Sequence, residues 1–451
     1  MFKRILIANR GEIALRIIRA CTELGIETVC VYSEADKSAI YLRFATETIC
    51  IGPGPALQSY LDIQRIIAAA EVTDASAIHP GYGFLSENAE FANICRQCKI
   101  EFIGPSSEAI RLLGDKAKAK ELAKRAKVPT VPGSDGVVQT EKEALRIAAK
   151  LGYPVLIKAA GGGGGRGIRL ATNDLSLRTG LNSARAEAQQ SFKNPDLYLE
   201  KLIRKPRHIE FQMLGDNYGN IIHLGERDCS MQRRKQKILE ECPSPFLTEE
   251  LRKKMGDAAL RFAHEAKYTN AGTIEFLVDP EGNFYFIEMN ARIQVEHPIT
   301  EMTTGIDLVK QQIRMAFGEK LQYKQEDIKQ TGHAIECRIN AEDPYNNFRP
   351  CPGKITMFFP PSGRGVRLDS HVYTNYVIPP YYDSMIGKLI TWRENRKEAI
   401  TAMRRALQHF ILEGIPTTKE FLDDIISMKE FRDGQYNTEF LEDIISDKVP
   451  Q

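Results

Sequence analysis

Residues 153–170 read YPVLIKAAGGGGGRGIRL. Five consecutive glycines, Gly161 to Gly165, then Arg166 and Gly167, lie between two apolar, β-rich runs. Ordering a glycine run costs more chain entropy than ordering any other sequence of that length. A ligand that repays the ordering is therefore expected at this loop.

Three phosphate-binding templates compete for it. A Walker A loop needs Lys-Ser/Thr directly after its last glycine, and here Ile168 follows Gly167. Gly162, Gly164 and Gly167 satisfy G-x-G-x-x-G, but the dinucleotide version opens a helix, whereas GIRLAT reads as a strand. What remains is strand, glycine flap, strand, the geometry that covers ATP phosphates in kinases. Lys158 precedes this flap and no H-R-D or D-F-G set follows, so the chain is no kinase. Backbone N–H groups unobstructed by Cβ atoms, with Lys158 and Arg166 at the edges, suit a polyphosphate. A disordered linker is the rival reading, and a seat between two strands argues against it.

Outward from the flap, the chain divides into three stretches. RILIAN (4–9), GEIALRIIRACTELG (11–25) and ETVCVYS (27–33) read as strand, amphipathic helix and strand, a βαβ opening. ASAIHPGYGFLSEN and IEFIGPS continue that alternation, so residues 1–114 form an open, Rossmann-like α/β domain. NRGEIA carries one glycine, which excludes a dinucleotide fingerprint at the first turn. A Lys-rich helix and a Pro/Gly-punctuated link (114–133) lead into a second domain, 115–330, of mixed helices and hairpins. GHAIECRINAED opens a third, 331–446, with short strands and closing helices.

Composition narrows the function. With 451 residues the chain is too long for one core. Lys+Arg (61) balance Asp+Glu (59), so no global field recruits nucleic acid or membrane. Nine cysteines without a framework pattern, a short N-terminal apolar run and no long apolar window predict a cytoplasmic chain with reduced thiols. The pair Cys95 and Cys98 has no second pair and reads as incidental.

The second informative stretch is GTIEFLVDPEGNFYFIEMNARIQVEHP, 272–298. TIEFLVD and NFYFIEMN read as strands joined by a turn at Pro280-Glu281-Gly282-Asn283. A turn centred between Glu281 and Gly282 sets Glu275 opposite Glu288, with Asn290 on the same face. Opposed like charges destabilise a sheet, and the apolar flanks argue against simple solvation. Two carboxylates and an amide oxygen suit Mg²⁺ or Mn²⁺, with phosphate oxygens completing the shell. Arg292, Gln294 and Glu296 follow on; a carboxylate near a guanidinium beside such a site is placed to act as a general base. His297, alone before Pro298, reads as structural. The basic residues Lys116, Lys158, Lys201, Arg234, Lys235, Lys237 and Arg338 are either solvated faces or phosphate clamps.

With these residues in hand, the chain resembles the ATP-grasp superfamily, and within it the biotin carboxylases, from end to end. ILIANRGEIALRIIRA, HPGYGFLSEN, FIGPS, IKAAGGGGGRGIR, RHIEFQ, HLGERDCSMQRR, IEMNARIQVEHPITE, GHAIECRINAEDP and PPYYDSMIGKLI carry the likeness. The resemblance implies a pre-ATP-grasp domain, an ATP-grasp domain with a mobile lid at about residues 131–203, and a C-terminal domain. It implies that Lys116, Lys158 and Gly163, Gly164 and Gly165 hold ATP phosphates, that Glu200, Lys201 and Ile203 flank adenine, and that His208 and Gln232 lie near the nucleotide. Glu275, Glu288 and Asn290 would bind two divalent ions. Arg292, Gln294, Val295 and Glu296 would bind bicarbonate, with Glu296 as base and Lys237 adding positive charge. Arg338 would stabilise the biotin enolate, and Tyr82 would lie by the biotin ring.

The implied reaction uses ATP to activate bicarbonate as carboxyphosphate and carboxylates biotin. The only Met-Lys pair, Met428-Lys429, lies in SMKEF, so biotin is expected on a separate carrier protein. A carboxyltransferase and a homodimer are the other implied partners, and the chain looks most like the subunit of an acetyl-CoA carboxylase. Rival assignments are a pyruvate or propionyl-CoA carboxylase subunit, an ATP-grasp ligase with an amine acceptor, and a nucleotide-sensing module without turnover. The chain departs from the family pattern at Lys235 (usually His), Ala291 (Thr), Cys242 (Ala) and Cys351 (Ser).

Overall fold

A computed structural model describes residues 1–160, 167–192 and 194–448. The opening is the expected α/β unit. Strands β1 (Arg4–Ile7), β2 (Glu27–Tyr32), β3 (Glu47–Cys50), β4 (Ala77–His79) and β5 (Glu101–Phe102) form one parallel sheet in the order β3-β2-β1-β4-β5. Helix α1 (Gly11–Glu23) buries Ile13, Ile17 and Ile18, and Gly25 at φ +70° lets the chain reverse into β2. The same helix also buries Glu12 and Arg16, polar side chains that an amphipathic reading leaves outside.

Strands β6 (Val155–Ala159), β7 (Ile168–Ala171) and β8 (Leu197–Lys201) make a small antiparallel sheet in the order β7-β6-β8. It has its own hydrophobic cluster, from Val138 to Leu199, apart from the larger cores. The strands flanking the glycine run are therefore adjacent antiparallel neighbours, as the flap reading requires. Gly163, Gly164, Gly165 and Arg166 lie outside the described residues.

The largest sheet comprises β9 (Arg207–Gly215), β10 (Ile221–Arg233), β11 (Gln236–Cys242), β12 (Asn270–Val278), β13 (Phe284–Asn290), β14 (His333–Asn340), β15 (Val366–Ser370) and β16 (Met385–Arg393). Its order is β13-β12-β9-β10-β11-β14-β16-β15, antiparallel throughout. Strand β11 pairs with β14, so one sheet runs across residue 330 without a break.

Two register slips in this sheet matter for chemistry. Val278 pairs with Phe284 and Phe276 with Phe286, so the hairpin turn is centred on Glu281, half a residue from the expected position. A bulge between Phe276 and Glu275 then adds one residue to β13 and brings Glu275 opposite Glu288 after all. Between β10 and β11, Met231 pairs with Leu239 but Gln232 with Lys237. The extra residue, Ile238, puts Ile238 and Leu239 into the same apolar core and returns Lys237 to the face of Glu240.

Candidate active site

A ladder of charge crosses four strands. Arg227 on β10 is register partner of Glu210 on β9, Glu210 of Glu275 on β12, and Glu275 of Glu288 on β13. Three acids in a row repel one another, and cations are threaded between them. Arg227, fully buried, donates from Nε to Glu210 at 2.6 Å and also bonds Gln212, Thr273, Thr300 and Gln294. Lys237 Nζ donates to Glu210 at 2.6 Å, Glu275 at 3.0 Å and Glu296 at 2.6 Å. The bulge at Ile238 is what lets that ammonium reach all three.

Burial pushes the Glu275 carboxyl up, but Lys237 and His208 outweigh it and hold the group well below the usual carboxylate range. His208 Nε2 lies 3.0 Å from Glu275 Oε2, and its Nδ1 meets Gln232 Nε2 at 2.7 Å. Glu288 goes the other way: burial and the opposed Glu275 raise it, against Lys116. Glu288 Oε2 is 3.9 Å from Lys116 Nζ and, with Lys116, Asn290 and Glu87, lines a cavity of about 220 Å³. Glu288 and Asn290 open to that cavity with the opposed, buried Glu275 behind them, an all-oxygen set that fits a hard divalent cation. The tightest His/Cys/Asp/Glu groups among the described residues are His208, Glu210, Glu275 and Glu210, Cys229, Glu296. In both groups the Lys237 ammonium already bridges the acids, whereas Glu288, 3.9 Å from Lys116 Nζ, is the acid that faces the cavity.

Helix α2 (His297–Thr304) begins directly after Glu296, whose carboxylate turns back to Lys237 and to Arg338 Nη2 at 2.9 Å. Burial raises the Glu296 carboxyl, while Lys237, Arg338 and Arg227 together hold it well below its ordinary value. Arg338, on β14, also donates from Nε to Glu240 at 2.6 Å. Arg292 is held by Glu87 at 3.0 Å and by Asn290 at 3.2 Å, and Gln294 donates to Glu275 at 2.7 Å. Tyr82, Arg292, Val295 and Arg338 line a cavity of about 520 Å³ between the N-terminal unit and the long sheet. His297 is fully buried with Nδ1 against Gln294 O at 2.8 Å, in keeping with a structural role.

On the small-sheet side, Lys158 and Lys120 both grip the buried carboxylate of Glu200. Burial raises Glu200, and the two lysines bring it net below its usual range. Lys201 donates instead to Gly152 O at 2.6 Å, and Ile203 is half-buried just beyond β8. Lys116 and Lys120 line a cavity of about 610 Å³ with Val131, Gly133, Ala160 and Tyr198. Of the expected nucleotide residues among those described, Lys116 is the one that faces it.

Family models match the chain in three consecutive blocks: Biotin carboxylase, N-terminal domain, at residues 1–110; Carbamoyl-phosphate synthase L chain, ATP binding domain, at 115–324; and Biotin carboxylase C-terminal domain at 336–443. The chain belongs to the biotin carboxylase family. Biotin carboxylase of Nostoc sp. is 58% identical over 443 residues, covering 98% of this chain and 99% of the relative. A pyruvate carboxylase subunit of Methanothermobacter thermautotrophicus is 53% identical, over 98% of this chain and 90% of that one. The biotin carboxylase domain dimer of Hydrogenobacter thermophilus 2-oxoglutarate carboxylase, solved with MgADP, ADP and bicarbonate, superposes with a TM-score of 0.94 at 52% identity over all of both chains.

As a biotin carboxylase the chain is an ATP-dependent ligase, and no helix among its described residues is long and apolar enough to cross a membrane. Sequence reasoning gathered Lys237, Glu275, Glu288, Asn290, Arg292, Gln294, Glu296 and Arg338, and the fold brings them into one contiguous region. It missed Glu210, Arg227, Glu240 and Glu87, which hold those side chains in place, and Lys120, which with Lys158 holds Glu200. A charge inside a strand buried on both faces was the available signal for Glu210 and Arg227: every residue of β9 is buried.

Proposed function

We infer that this chain carboxylates biotin carried on a separate protein, using ATP and bicarbonate through carboxyphosphate, as the biotin carboxylase subunit of an acetyl-CoA carboxylase. The observation that carries the reaction is the Lys237–Glu296–Arg338 cluster, at the junction between the opposed acids and the Tyr82 cavity. Lys116 and Lys158 would hold ATP phosphates, with Glu200, Lys201, Ile203, His208 and Gln232 around the nucleotide. Glu275, Glu288 and Asn290 would hold two Mg²⁺ or Mn²⁺ ions, which when bound offset negative charge on the phosphates.

Arg292, Gln294, Val295 and Lys237 would seat bicarbonate so that Glu296 removes its proton. Glu296 is a weak base while Lys237 and Arg338 both hold it. An anion arriving between those cations shares them and raises its basicity. Arg338, released toward the cavity, would then oppose the negative charge that builds on the biotin ureido oxygen beside Tyr82.

Kinship with subunits of pyruvate carboxylase and 2-oxoglutarate carboxylase supports a second reading, in which the same half-reaction serves a different acceptor. The carrier protein, a carboxyltransferase and a second copy of the chain are the proposed partners. Bicarbonate-dependent ATP cleavage stimulated by free biotin tests the half-reaction, and stimulation by an amine in its place would overturn it. Sequencing the carrier and transferase that co-purify with the chain decides the acceptor.

A further inference from the structure

The sheet holds a second pair of opposed acids, which the proposed reaction leaves unused. Glu240 on β11 and Glu336 on β14 are register partners, and both are fully buried. Neither oxygen of Glu336 has a hydrogen-bond partner, nor does Oε2 of Glu240. None of the cations nearby bonds Glu336. Arg338, two residues along β14, gives its Nε to Glu240 at 2.6 Å and its Nη2 to Glu296 at 2.9 Å. Lys388 on β16, fully buried and register partner of Arg338, donates to Val295 O at 2.9 Å and lies 3.1 Å from Glu12 Oε1. Glu12, from α1, also accepts from Tyr82.

The charged and titratable groups facing Glu336 are thus Glu240 on β11, Arg338 on its own strand, Lys388 on β16, Glu296 ahead of α2, and Tyr82 from the N-terminal unit. Two ionised carboxylates so placed would repel in a water-free setting with three oxygens unsatisfied. One proton removes the conflict: a neutral acid donates its O–H to the other, which stays an anion for the guanidinium. Burial also pushes Glu336 well up and Glu240 to about 7, with Arg338 pulling Glu240 back.

We propose that Glu240 and Glu336 hold one proton between them, and that Glu336 is thereby a positioning residue, leaving Glu240 a single negative charge that keeps Arg338 beside Glu296. What Arg338 does to substrate rests on the function proposed above; the shared proton does not. Loss of that proton would leave a dianion that draws Arg338 away from Glu296.

Two substrate-free measurements and one kinetic one test this. In infrared difference spectra at about pH 8, the parent should show the carbonyl stretch of a neutral carboxylic acid that Glu336→Gln lacks. A raised folded-state pKa means a contribution to stability that is full below the ordinary glutamate range and drains away as pH climbs. The parent's Tm should therefore fall relative to that of Glu336→Gln between about pH 5 and pH 8. Absence of the band, or parallel Tm curves, shows both acids ionised and sinks the shared proton. In turnover, the alkaline fall of kcat for biotin-stimulated ATP cleavage should move up by about one pH unit or more in Glu336→Gln. A confirmed proton with an unmoved alkaline limb overturns the positioning role. Failure of biotin to stimulate the parent enzyme would instead strike the proposed function.

Discussion

Glu296 sits where three cations compete for it. Lys237 and Arg338 bond it directly, and Arg227 acts through Glu210 and Gln294 in the layer behind. Glu296→Ala should lower bicarbonate-dependent turnover by about 10²–10⁴, the span of a lost general base. Nucleotide affinity, read by calorimetry, should change little, because the expected phosphate lysines lie elsewhere. Turnover at the parent rate would take Glu296 out of the base role. Lys237→Met makes the opposite kind of vacancy, leaving Glu210, Glu275 and Glu296 without their shared ammonium. Breaking a buried ion network from one side costs about 3–5 kcal/mol, so a loss of that order is expected in urea unfolding. A cost near zero would mean the three acids are neutralised by some other group.

At the scale of elements, the hairpin shows what periodicity reveals and what it hides. Alternation in TIEFLVD and NFYFIEMN marks two strands, and the Pro-Glu-Gly-Asn turn marks their connection. The expected pairing of Glu275 with Glu288 came out right only because a turn placed half a residue late offsets an unseen bulge. That bulge was not legible, because an inserted residue leaves no periodic trace. The same holds at Ile238: simple alternation sends Lys237 and Glu240 to opposite faces, and one unpaired residue reunites them. Glu210 and Arg227 were hidden for a different reason. They lie on strands covered on both faces, where charge carries no sidedness. Deletions can separate turn from bulge. Removing Ile287 straightens the ladder yet leaves Glu288 next after Phe286 and still opposite Glu275, so most of the cation-dependent ATP cleavage should be kept. Removing Glu281 only shortens the loop and should keep most of that activity. A loss of about 10²-fold or more on removing Ile287 alone would show that the bulge itself, and not only the face of Glu288, shapes the site.

Across the whole molecule, one strand ties the chemistry to the C-terminal end. Glu240 and Glu241 are neighbours on β11 and point to opposite sides: the first to Arg338, the second to a buried latch. Glu241 accepts from Arg396 at 2.7 and 3.0 Å, meets His333 Nε2 at 2.6 Å and is bonded by Tyr436. Tyr436 in turn lies under the Arg207 guanidinium at 3.9 Å, so the latch spans β9, β11, β14 and the closing segment of the chain. This contact between residues nearly 200 positions apart was beyond sequence reasoning, since it rests on β11 pairing with β14. Burial alone would raise the Glu241 carboxyl, but Arg396 and His333 depress it far below its ordinary value. A depressed acid contributes stability that is present above the unfolded-state value of about 4.3 and is lost as pH falls toward the folded-state value. Glu241→Gln should therefore cost about 3–5 kcal/mol near neutrality, and its Tm should decline less steeply than the parent's on acidification. The two Tm curves should draw together as Glu241 in the parent protonates. Curves that stay parallel through the acid range would show that the latch holds without its charge, and that something else fastens the C-terminal segment to the sheet.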